Sequence, residues 1–201
     1  MSVGCCPPHA SIISLRPIYR GFFIGVLLTG IGSGYYHWNP SNETLVWDRL
    51  PMTIAFTAFF CTIIGENIHA KTGELLFWPF VLLGLLSVVY WHVTESTGHG
   101  DLRPYGLVQF LPIAMVPLIL WWYPSPISGN LYFWLVVGNF CVAKAAEYFD
   151  QTIFDATGLI SGHSIKHIAA AAGTYCFYVA LKHRRFADQA RTDSVYVGRK
   201  R

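Results

Sequence analysis

Charge is what this chain has least of. Aspartate, glutamate, lysine and arginine make up 12% of its 201 residues, about half the ~25% of an average soluble protein. Hydrophobic residues reach 53% on a broad count. So little charge does not clothe a water-facing globule, and the composition implies a membrane protein, overriding the one or two soluble domains that length suggests. The net charge of +3 is too small to argue for nucleic acid, and no such partner is expected. Cysteine lacks a pattern: the five residues include no CxxC, which excludes a zinc knuckle or a dithiol redox motif. Cys61, Cys141 and Cys176 lie inside apolar segments, where a small polarisable side chain simply packs. No secretory signal is expected, because Pro7, Pro8 and His9 interrupt the first 20 residues and no cleavage pattern follows.

What the chain does have is apolar length. Six segments stand out, at about 21–37, 50–65, 75–93, 105–123, 131–149 and 163–181. Each is near the ~20 residues that cross a bilayer as a helix, the second being short. Helices are the open-ended solution there, because backbone groups in hydrocarbon must pair within the segment. The expected fold is therefore an all-α polytopic membrane bundle of six crossings. Residues 1–20 form a short cytoplasmic segment in this reading, 21–181 the membrane domain and 182–201 a basic cytoplasmic tail. Gly25, Gly30, Gly32 and Gly34 give the first segment a small face that admits a close neighbour, and Ala169–Gly173 does the same for the last. Arg16, Arg20, Lys71 and the tail arginines place the amino terminus inside. The loops 38–49, 94–104 and 150–162 then face outward.

That topology gathers polar residues on one face. His37 ends the first segment, Asp48 precedes the second, and His163 and His167 open the sixth. Spaced by four, the last two share a helix face, which suits two imidazoles on one zinc ion. With His37 as third ligand, the fourth tetrahedral position stays open for water, as in catalytic zinc sites. Ser33, four residues before His37, is placed to hydrogen-bond an oxyanion. Asp48 is placed to act as general base and acid or to orient a ligand histidine. Plainer readings stand beside these: Ser33 as a small packing residue and Asp48 as a helix N-cap ahead of Pro51. Lys144 and Glu147, three apart, read as an ion pair or as a headgroup contact. Glu66, Asn67 and His69 read as solvated loop residues, while His92, Glu95, His99 and Asp101 read as interfacial polar residues.

The set Ser33-x3-His37, Asp48 and His163-x3-His167 resembles the signature of the alkaline ceramidases. Their superfamily also holds the adiponectin-receptor-like proteins and a group of lipid-remodelling factors. The strings YYHWNP, LVWDRLPMT, GDLRPYGLVQFLP and SGHSIKHIAAA look like its bacterial ceramidase-like branch, and the likeness runs from Arg16 to Lys182. The resemblance implies a zinc-dependent hydrolase of a lipid amide bond such as that of ceramide. His37, His163 and His167 would ligate Zn2+, Asp48 would be the catalytic aspartate and Ser33 the oxyanion-stabilising serine. It further implies a lipid substrate, the bilayer as partner, and a bacterial inner-membrane location with the site toward the periplasm. The family's first helix and calcium site have no expected counterpart in residues 1–20. The alternative within the superfamily is a lipid-binding receptor or remodelling protein with little hydrolysis. A histidine-box desaturase is disfavoured by the single His-x3-His, and a transporter by the one-sided clustering.

Overall fold

The computed structural model describes residues 14–123 and 130–198, with side chains as far as His183; these residues form seven α-helices and no strand. The chain divides by contact into two compact units, Met1–Pro126 and Ile127–Arg201. The first holds α1 (Arg16–Trp38), α2 (Asn42–Asn67), α3 (Ala70–Ser96) and α4 (Arg103–Trp122). The second holds α5 (Asn130–Tyr148), α6 (Asp150–Thr157) and α7 (Gly162–Gly198). Among the described residues α2, α3 and α4 are long and apolar enough to cross a membrane.

Helix α2 is the hub of the first unit and packs against α1, α3 and α4. The contact with α1 is a backbone contact. Gly25 and Gly32 are seven residues apart, two helical turns, and so lie on one face. A Cβ on Gly25 would come within 2.7 Å of the Ala55 nitrogen, and one on Gly32 would collide with the Trp47 carbonyl. That carbonyl is available because Pro51, inside α2, has no N–H to offer four residues back. Gly30 and Gly34 face open space instead, so two of the four expected small residues make the contact. The opposite face of α1 stays apolar and uncovered: Leu27 and Ile31 are 65% and 64% exposed.

Several sequence-based boundaries move. The second apolar segment begins at Asn42 and not near 50, and the expected loop 38–49 shrinks to Asn39, Pro40 and Ser41. The cause is a capping box: Thr44 N–H donates to Ser41 Oγ, and Ser41 N–H donates to Thr44 Oγ1, each at 3.1 Å. This polar first turn conceals a helix start from a hydropathy reading. Asp48 therefore lies inside α2 and is not its N-cap. Helix α1 starts at Arg16, ahead of the expected 21 and with Pro17 in its first turn. The expected outer loop 150–162 contains α6, and α7 runs on past 181 to Gly198. Residues 1–13 and 199–201, with Cys5 and Cys6, lie outside the described residues.

One expectation about polarity is reversed. Glu66 and Asn67 are buried, 7% and 9% exposed, because the start of α1 covers that end of α2. Tyr19 donates its hydroxyl to Glu66 Oε1 at 2.8 Å, and Asn67 Nδ2 donates to the Ile63 carbonyl at 3.0 Å. His69 is exposed as expected.

In the second unit α5 and α7 pack along a stripe of α7 that contains Gly162, Ala169, Gly173, Phe177 and Ala180, all buried. Phe177 stacks on Phe133 with ring centroids 6.1 Å apart, and Gly173 sits against Asn139. Gly162 is pressed on the Ala146 carbonyl and Asp150 Cα, where a methyl group would collide.

Gly32→Ala is expected to destabilise the α1–α2 contact by about 1–3 kcal/mol, the usual cost of overpacking. Gly30→Ala, with nothing nearby to meet its methyl, should gain up to ~1 kcal/mol from helix propensity. Unfolding curves of the two variants in detergent check the pair, and equal midpoints would refute the close approach.

Candidate functional site

In the first unit the α1–α2 contact brings the sequence-predicted residues to one end. Gly32 rests on the Trp47 carbonyl with the Asp48 nitrogen beside it. Its neighbours in sequence, Ser33 on α1 and Asp48 on α2, are thereby set at the same level of the helix pair. Ser33 is buried, Asp48 half-buried, and His37 one turn further out is exposed. The Tyr36 ring lies 5.2 Å from that of His37. The Thr44 hydroxyl donates to the Asn39 carbonyl at 2.8 Å and closes the hairpin behind them.

Arg49, next to Asp48, is not a solvated loop residue. Its guanidinium lies 4.0 Å from the centre of the Trp91 ring and 5.4 Å from that of Tyr105. Such contacts are worth about 0.5–2 kcal/mol. The rings belong to a buried cluster of Val88, Trp91 and Tyr105, against which Leu45, Val46 and Leu50 pack. Arg49 thus ties the turn bearing Asp48 to α3 and α4. A sequence reading misses it because the partners lie 42 and 56 positions away.

In the second unit His163 and His167 do meet, as the spacing predicts. Their Nε2 atoms are 3.0 Å apart and their rings are inclined at 72°. Two neutral imidazoles turned this way either share one proton or present two lone pairs to one cation. Tetrahedral zinc with bonds of about 2.0–2.1 Å would hold two nitrogens roughly 3.3 Å apart, a small adjustment. His163 is half-buried and His167 exposed.

The start of α7 is fixed by three contacts. Ser161 caps it, accepting from Ser164 N–H at 3.1 Å. Asp150 Oδ1 accepts from the backbone N–H of His163 at 2.7 Å, and Gly162 lies against α5. Both acceptors satisfy amides that a helix start leaves orphaned. Lys144 and Glu147 form the expected pair at 2.6 Å, and Lys166 reaches the second Glu147 oxygen at 3.1 Å. That second lysine is an addition to the sequence reading.

By donor chemistry His163 and His167 of the second unit could hold a metal ion, and His37 of the first unit carries a further imidazole. Within the first unit a cavity of about 540 Å3 opens between the start of α2 and the end of α3, lined by Val46, Trp47, His92 and Glu95 among others. Ser33, His37 and Asp48 do not line it. Of the interfacial polar residues, Glu95 Oε1 accepts from Asn42 Nδ2 at 2.7 Å, and His99 Nδ1 lies 3.0 Å from the Thr97 carbonyl. Comparison with protein-family models, with curated proteins and with solved structures finds no match in any of the three.

Asp101, between α3 and α4, accepts from the Arg103 side chain at 2.8 Å through both oxygens and from its backbone N–H at 3.0 Å. These bonds hold its carboxyl down to about 2. A lowered folded pKa gives a contribution that is complete above the unfolded value of ~3.9 and is lost as pH falls through about 2. Carboxylate NMR should place the Asp101 titration near that lower value, and a midpoint near 4 would show that the pair does not form. Asp101→Asn should remove this acid-side dependence.

Proposed function

We propose that this chain is a membrane-embedded, zinc-dependent hydrolase of a lipid amide bond, of the alkaline ceramidase kind. The observation that carries the reading is the His163–His167 pair, two Nε2 atoms 3.0 Å apart at the start of an anchored helix. Two imidazoles at this separation suit one cation better than they suit packing. As the family resemblance implies, His37 would supply a third nitrogen, and three imidazoles are the set of a catalytic zinc, which keeps a position open. Zinc held there lowers the pKa of a water molecule to about 7 and polarises the substrate carbonyl.

The remaining roles fall to the hairpin of α1 and α2. Asp48 accepts a proton from the attacking water and returns it to the departing amine. Ser33 donates a hydrogen bond to the oxygen on which charge develops, from a buried position that needs little reorganisation. Arg49 holds the turn of Asp48 through its two aromatic partners.

The bilayer reading rests on the length and apolar character of α2, α3 and α4 together with apolar side chains left uncovered. Trp38, Leu75 and Trp78 are 89%, 76% and 70% exposed. Apolar surface of this extent on a soluble monomer would drive association, whereas lipid covers it at no cost. With α1, α5 and α7 added, the chain makes six crossings in this reading. The amino terminus is inside and the site faces the periplasmic side of a bacterial inner membrane.

Protein purified without chelator is expected to carry one zinc per chain by elemental analysis. It should release fatty acid from an amide lipid, with His163→Ala losing both metal and turnover while staying folded by circular dichroism. Asp48→Asn should keep the metal and lose about 10²–10⁴ in kcat, the usual range for a general base. Metal with lipid binding but no product across amide and ester lipids would favour a receptor. A metal-free wild type would falsify the reading.

A further inference from the structure

Lys166 stands out on α7. It lies in line with the stripe facing α5, between Gly162 and Ala169, and is itself half-buried. Its ammonium is paired with Glu147 at 3.1 Å, the Lys166 side chain being 21% exposed and that of Glu147 39%. Glu147 is already neutralised by Lys144 on its own helix at 2.6 Å. The second lysine is therefore not required for charge balance. A partly exposed ion pair adds little to stability, and where such a pair is withdrawn from water its best-attested use is to fix register.

The register at stake can be read from the helix. His163 and His167 follow Gly162 and Lys166 by one residue each, so both imidazoles sit 100° round from the α5-facing stripe. Whatever fixes the rotation of that stripe fixes where the two Nε2 atoms point. Gly162 and Asp150 fix it at the level of His163, through the Ala146 contact and the bond to the His163 amide. At the level of His167 the neighbouring stripe residue is Lys166, and its partner is Glu147. Ala169 and Gly173 follow in the stripe, and neither carries a side chain long enough to interlock with α5.

We infer that the Glu147–Lys166 bridge is a positioning device: it pins the rotation of α7 on α5 and so keeps His163 and His167 aimed at a common cation. Lys144 orients Glu147 from behind and is secondary to the link. The inference rests on the metal reading given above and extends it to residues that touch neither metal nor substrate.

The test uses Co2+ as probe on the full chain in detergent, with its visible bands reporting ligand geometry, beside thermal unfolding of the metal-free protein. Lys166→Met is expected to bind Co2+ about tenfold more weakly, with altered bands, while its unfolding midpoint stays unchanged or rises. Glu147→Gln should weaken Co2+ binding in the same way. Lys166→Arg, which keeps a cation on Glu147, should restore both affinity and spectrum, and Lys144→Met should bind nearly as the wild type does. A Lys166→Met variant with wild-type affinity and spectrum overturns the inference. So does a loss in Lys144→Met as large as in Lys166→Met, because charge count and not the link would then matter. A wild type that binds no Co2+ overturns the metal reading itself, a result distinguishable from either.

Discussion

Two glycine–carbonyl contacts set the geometry of everything chemical in this chain. In the first unit Gly32 lies against the Trp47 carbonyl, and in the second Gly162 lies against the Ala146 carbonyl. Each glycine immediately precedes a site residue, Ser33 in one case and His163 in the other. A Cβ at either place would drive the helices apart, and the side chain one step along would lose its placement. Close backbone approach fixes relative position more tightly than interdigitated side chains do, because no rotamer can adjust.

The first of these contacts has a cause two turns of logic upstream. Pro51 deprives α2 of one hydrogen bond and leaves the Trp47 carbonyl to be met from outside the helix. Gly32 meets it. Arg49, on the turn between, is then held by Trp91 and Tyr105 of the neighbouring helices. A proline that looks like a defect in a long apolar helix thus becomes the seat of the α1 contact, with Asp48 beside it.

The second unit solves the same problem with charge. Asp150 ties off the His163 amide, Glu147 joins Lys144 to Lys166, and together they bracket the imidazole pair with groups that are themselves paired. Ionisable groups partly withdrawn from water are costly unless they are matched. The two carboxylates accept from two lysines and a helix start, and the histidines are left with their ring nitrogens facing each other.

The sequence by itself determined the helical class, the approximate places of the three helices long and apolar enough to cross a membrane, and the meeting of His163 with His167. These depend on local periodicity: composition over ~20 residues, and a spacing of four that any α-helix converts into a shared face. It also marked Gly25 and Gly32 as candidates for close approach, although it could not separate them from Gly30 and Gly34, which face nothing. Tertiary structure alone decided the rest. It moved the start of α2 back to Asn42, because a polar capping box is invisible to hydropathy, and it took Asp48 out of the capping role. It buried Glu66 and Asn67 under the start of α1, put Arg49 between two rings, and gave Lys166 its partner on another helix. Each of these is a contact between residues more than a dozen positions apart, or a cap made of polar atoms. Neither leaves a period in the chain that carries it.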